Sequence, residues 1–248
     1  MPVLAHFGEL KRRMIHSVLF LVLTTGGAFA FHREIMRFLL EPAENLNTFT
    51  GGVPIFTELT EFWGAVMKIS ILAGLAGAAP FFIFQAVRFV APGLRSSERK
   101  WLYFLMPFTI ISFAAGVAFG YYVLIPPAIK FLTSFGGDVA TPLIRIGAYV
   151  NLVTLLLFWM GASFELPIVM FFLSKIGVLT PRWIAGKRRW AIVAAFIIGA
   201  AITPTFDPVN QTIVAGPVIV QYEIGYWLSK LGARSRSTRA VDAVSERA

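Results

Sequence analysis

Residues 149–174 run almost without a polar side chain, far enough to cross a bilayer as a helix, and near their middle stands one carboxylate, Glu165. A hydrocarbon core of about 30 Å demands roughly 20 helical residues, and in lipid every backbone amide needs a partner inside the protein, so such a run admits a helix. An ionised side chain at the centre of that helix costs at least about 3 kcal/mol on insertion scales. The segment therefore marks a membrane protein with a polar task. Five further apolar stretches, each bounded by charge or by Pro and Gly, extend the pattern: about 14–31, 62–90, 101–123, 190–203 and 209–228.

The expected fold class is all-α: a polytopic membrane protein of six transmembrane helices in a single domain over 1–231, with a disordered cytoplasmic tail over 232–248. The last two helices are short. Residues 190–203 cover about 21 Å at the helical rise, and 209–228 is interrupted by Gly216-Pro217. The pair reads either as one re-entrant element or as two spanning helices joined at Pro204-Thr205-Phe206-Asp207-Pro208. A polar, proline-bounded turn belongs in the interface rather than in hydrocarbon, which favours two spans.

Composition excludes the soluble alternatives. At 57% hydrophobic and 14% charged, the apolar runs exceed what a core of this size can hide. A net charge of +9 would suggest nucleic acid in a soluble protein, but here the cations gather between apolar segments, where they orient the chain and meet anionic headgroups. Sixteen Lys and Arg fall on the side of both termini and the second and fourth connections, against Arg33, Arg37, Lys130 and Arg145 on the other, so both termini are expected in the cytoplasm. The first connection, 32–61, is acidic through Glu34, Glu41, Glu44, Glu58 and Glu61, and the third is broken by Pro126-Pro127 and Gly136-Gly137. The basic start, the apolar run and Ala28-Phe29-Ala30 imitate a cleavable leader; Glu9 within the basic stretch favours an uncleaved first helix.

Catalytic signatures fail. There are no cysteines, and His6, His16 and His32 all lie near the N-terminus, so no thiol nucleophile, metal site or cofactor is expected. Gly161-Ala162-Ser163-Phe164-Glu165 begins like a nucleophile elbow but lacks the second Gly and a downstream His. Gly116 and Gly120, and the run Gly74, Gly77, Ala78, read as small-residue faces for helix packing. Glu165 is either a carboxyl hydrogen-bonded to a neighbouring helix or a polar foothold within the membrane, with Gln85, Gln211 and Glu223 as natural partners. A different class, a secondary transporter using Glu165 as an intramembrane proton or cation site, lacks the inverted repeat that such folds show.

Four local patterns resemble one family. His6-Phe7-Gly8-Glu9-Leu10-Lys11-Arg12-Arg13 is similar to the H-L-x-E-L-R-x-R opening of TatC, the multispanning receptor subunit of the twin-arginine protein translocase. Pro80 to Leu94 with Glu98-Arg99-Lys100 resembles its P-x4-Q-x3-F-x2-P-G-L-x3-E-[RK] stretch, and Phe164-Glu165-Leu166-Pro167 its F-E-[LV]-P. Thr203-Pro204, Asp207 to Gln211 and Tyr222-Glu223-Ile224-Gly225 resemble its last hairpin. Two departures stand out: Lys11 where the family has Arg, and Leu59 where it has Pro in T-x-P-x-E.

The resemblance implies a cupped six-helix fold and a non-catalytic role: binding twin-arginine signal peptides and nucleating the complex that exports folded proteins on the proton motive force. It implies a signal-peptide site at Glu9 and Glu98, with Lys11, Phe89 and Arg99, and intramembrane polar groups at Glu165 and Gln85. Contacts to single-span TatA- and TatB-like subunits fall at Gln211 and Asp207, and lipids and further copies of the chain complete the partners, in the inner membrane and without nucleic acid. Chemistry supports part of this, since accessible carboxylates take an arginine pair in a fork that lysines cannot reproduce. The plainer alternative pairs Glu9 with Arg12 or Arg13, and Glu98 with Arg95 or Arg99.

Overall fold

The computed structural model describes residues 3–46, 49, 53–90, 96–134, 143–202 and 208–245, of which 3–7, 90, 96–98 and 235–245 as backbone alone. Among these residues are ten α-helices and no strand; Ile55 and Arg145 form one isolated bridge. Helical stretches at Gly8–Ala30, Glu61–Phe89, Arg99–Ser134 and Ile146–Lys175 are long and apolar enough to cross a membrane. The chain divides into two compact units, Met1–Val90 with Val117–Trp159, and Ala91–Gly116 with Met160–Ala248.

In the first unit α1 (Val3–Ala30) and α3 (Glu61–Val90) pack antiparallel. Phe20 stacks on Phe81 at 4.4 Å and Phe29 meets Trp63 edge-on at 5.9 Å. Between them a Cβ at Gly74 would come within 2.6 Å of the Thr25 Cα, so the expected small-residue face is real at Gly74, while Gly77 borders open space. Such close approach is how helices gain contact where lipid is as apolar as the side chains.

Helix α2 (His32–Glu44) is amphipathic, burying Met36, Leu39, Leu40 and Ala43. Pro42 lies inside it and has no N–H, which leaves the carbonyl four residues back, on Phe38, without its helical donor. The Tyr121 hydroxyl supplies one at 2.6 Å, its ring stacked 4.3 Å from Phe38, and Tyr149 donates to the next carbonyl, Leu39, at 2.6 Å. Tyr121 sits in a π-helical turn, Gly120–Leu124, joining α4 (Ser96–Phe119) to α5 (Ile125–Ser134). Pro126-Pro127 do not break this connection as expected: the chain stays helical through them, entering α5 directly from the π turn.

The start of α6 (Ile146–Phe164) is tied to the start of α3 through Glu61. That carboxylate accepts from Arg145 Nε and Nη2 at 3.2 and 3.1 Å, from the Thr57 amide at 2.9 Å and from the Gly147 amide at 3.0 Å. The hydrogen bond to Glu61 holds the Arg145 proton more firmly than usual. Leu59, the departure from the family's proline, is fully exposed beside this clamp.

In the second unit α7 (Leu166–Lys175) packs on α10 (Pro208–Ser245). A Cβ at Gly225 would lie 3.2 Å from the Pro167 Cα, and one at Gly232 2.9 Å from the Phe171 carbonyl; Ser174 donates to the Ser229 carbonyl at 3.0 Å. Gly177 ends α7 with φ 84°, and Val178 N–H then caps the Leu173 carbonyl at 2.9 Å. Thr180 caps α8 (Pro181–Gly186), whose Ile184 carbonyl takes the Tyr222 hydroxyl at 2.7 Å. Helix α9 (Arg188–Ile202) has 15 residues, about 22 Å.

One expectation changes. The run 149–174 is two helices, because Pro167 has no amide and its ring clashes with the Ser163 carbonyl, which breaks the ladder at Glu165. Helix α10 runs as backbone to Ser245. After Gly232 no Gly or Pro interrupts the chain, and extending a helix already formed needs no new nucleation.

Candidate functional site

Glu9 and Arg13 are one turn apart on α1, with the acid N-terminal to the base, the favoured order for such a pair. Arg13 Nε donates to Glu9 Oε1 at 3.0 Å, and its Nη2 reaches the same oxygen. On the opposite edge of the guanidinium, Nη1 donates to Gln85 Oε1 of α3 at 3.2 Å. Both partners are largely shielded, Arg13 at 17% and Glu9 at 29% side-chain exposure. They line a polar cavity of about 580 Å³ together with Arg12, His16 and Arg88. His16 Nδ1 donates to the Arg12 carbonyl at 2.6 Å, and Arg88 lies 5.5 Å over the Phe84 ring. Three guanidinium groups and one engaged carboxylate give the cavity a positive balance.

The other residues assigned to the signal site are placed differently. Lys11, two positions on from Glu9 and so about 200° round the helix, is exposed and borders a separate apolar trough with Met14, Ile15 and Val18. Phe89 is half-buried near the end of α3, and Arg99 is exposed early in α4. Glu98 is in the first turn of α4, with its side chain outside the described residues.

Glu165 sits at the break between α6 and α7, half-buried, and its Oε1 is shut from solvent with no hydrogen-bond donor among the described residues. The three partners expected for it are engaged elsewhere. Gln85 accepts from Arg13, Gln211 donates to the Phe196 carbonyl at 3.1 Å, and Glu223 accepts from Arg188 at 2.7 Å. Beside Glu165, Ser112 donates to the Phe164 carbonyl at 2.6 Å. A Cβ at Gly199 would meet the Gln211 carbonyl at 3.0 Å, so α9 and α10 touch at this glutamine; Asp207 lies outside the described residues. Among the described residues no group of three His, Asp or Glu could hold a metal ion. The Glu9–Arg13 pair is the plainer alternative expected from the sequence, whereas the part of Gln85 as a second acceptor for Arg13 had no signal there.

A model of the Sec-independent protein translocase protein (TatC) matches residues 5–217. The chain belongs to the TatC family. TatC of Aquifex aeolicus is 35% identical over 238 residues, covering 95% of this chain and 98% of that one. TatC of Carboxydothermus hydrogenoformans is 32% identical over 230 residues, 93% of each chain. The crystal structure of the twin-arginine translocase receptor TatC matches with a TM-score of 0.82 and 34% identity, over 92% of this chain and 99% of that one. The TatC likeness and the four apolar spans together make this an all-α, multi-pass membrane protein of protein transport.

Proposed function

We propose that this chain is the receptor subunit of a twin-arginine translocase, binding the Arg-Arg pair of a signal peptide through Glu9 and Glu98. Lys11, Phe89 and Arg99 contribute at its edges. Residues 1–231 act as one domain of six spans in the cytoplasmic membrane with both termini inside, assembling with TatA- and TatB-like subunits around Gln211 and Asp207. Export of folded cargo draws on the proton motive force, with no catalysis by this chain. What supports the recognition step is the guanidinium on Glu9: the carboxylate, shielded and facing a cavity, already takes an arginine fork of the kind a signal would offer. No observation favours a solute transporter.

The test is binding of a twin-arginine signal peptide to the full chain in lipid nanodiscs. Glu9→Ala and Glu98→Ala should each weaken it about ten- to a hundredfold, the worth of a hydrogen-bonded charge contact. Unchanged binding in both variants would remove the site while leaving the family assignment in place. Crosslinking from position 98 to the peptide in native membranes gives an independent readout.

A further inference from the structure

We infer that Glu9 and Gln85 together form a guanidinium slot, that Arg13 fills it as an internal stand-in for an arginine of the signal, and that Gln85 sets the preference for arginine over lysine. The inference rests on the proposed reading of Glu9.

The geometry is specific to a guanidinium. One edge of the Arg13 fork, Nε and Nη2, is spent on the Glu9 carboxylate, while Nη1 on the other edge finds the Gln85 amide oxygen on a different helix. Arginine carries donors only, so the oxygen of Gln85 is the atom that faces it. A planar group with five fixed N–H donors can satisfy an acid and an amide on opposite edges at once. An ammonium is a compact point charge and matches one of them well or both poorly. Glu9 alone would attract either cation; the second acceptor distinguishes them.

Arg13 also sets a threshold for a cationic peptide entering this positively charged cavity. With Arg13 seated, an arriving arginine meets a neutralised carboxylate flanked by Arg12 and Arg88. Exchange changes this, because the newcomer takes the contacts that Arg13 gives up and no acceptor is left empty. The exchange is easy, since an i,i+4 pair of this kind favours its closed form by only about twofold when exposed, and more when shielded as here. Occupancy by Arg13 lowers the apparent affinity by the fraction of time the slot is open, which screens out weak basic segments.

The experiment uses the full chain in nanodiscs with a fluorescent twin-arginine signal peptide and its Arg-Lys, Lys-Arg and Lys-Lys versions. Arg13→Gln should bind the Arg-Arg peptide about two- to tenfold more tightly, and Arg13→Lys, which keeps the charge but cannot span both acceptors, should gain part of that. Gln85→Met should narrow the gap between the Arg-Arg peptide and its singly lysine-substituted versions by about tenfold. With ¹⁵N-arginine, the Arg13 Nε resonance, identified by its loss in Arg13→Gln, should move to a solvent-exposed position on saturation with the Arg-Arg peptide. If both Arg13 variants bind no tighter than the unsubstituted chain while Glu9→Ala still loses binding, the stand-in is wrong and the reading of Glu9 survives. An unchanged arginine-to-lysine gap in Gln85→Met overturns the role of Gln85. Full binding by Glu9→Ala overturns both the slot and the reading it rests on.

Discussion

Pro167 decides the setting of Glu165. By interrupting the ladder two residues downstream it places the acid at a joint between helices rather than in the middle of one, with one oxygen shut from solvent and without a donor among the described residues. Glu165→Gln keeps the shape and a hydrogen-bonding group, so it should insert normally and export a folded reporter at close to the usual rate. Glu165→Leu should insert as well but export poorly; full export by that variant would reduce the acid to packing. Gly225 offers a test at the same scale. Any larger residue there meets the Pro167 Cα and the Met170 side chain, so Gly225→Val should cost about 1–3 kcal/mol of stability, read as a lower thermal midpoint in detergent.

Among the elements, α9 is the anomaly, because its 15 residues cover about 22 Å of a core of about 30 Å. Tilt would make the deficit worse, leaving local thinning of the bilayer or cover by partner helices. Insertion of four apolar residues after Ile198, about one turn, should leave signal-peptide binding intact and reduce export, measured side by side in the same membranes. An unaltered export rate would deny the short helix a mechanical role. Hydropathy made this shortness plain, as it did the first four spans, because length and apolarity are properties of a contiguous stretch. The break at Glu165 was also written in the chain, through Pro167, but is hidden by a run of apolar residues on both sides. What could not be read were pairings without a period: Tyr121 to Phe38, Tyr149 to Leu39, Arg13 to Gln85. Polar groups in lipid look alike in sequence, and Gln85 was matched with Glu165 on composition when its partner was an arginine on α1. The position of Lys11 about 200° round α1 from Glu9 was legible, since two residues at 100° each already separate them.

At the scale of the whole molecule, the absence of cysteine makes the proposed topology directly testable. Ala185→Cys should react only with reagent on the cytoplasmic side, and Asn45→Cys, Thr57→Cys and Pro208→Cys only from the opposite side. Labelling of Pro208→Cys from the cytoplasm would replace the last two spans with a re-entrant element. The hydroxyls that lock α2 also impose an order in time. Phe38 and Leu39 wait for residues 83 and 110 positions further along the chain. At about 5–20 residues per second of synthesis, that delay is roughly 4–20 s. Until then α2 exists without its lock, and the Phe38 carbonyl is answered only by water. A chain stalled on the ribosome before Tyr149 should therefore expose α2 to a protease that the finished protein resists, so the first connection matures long after its own residues are made.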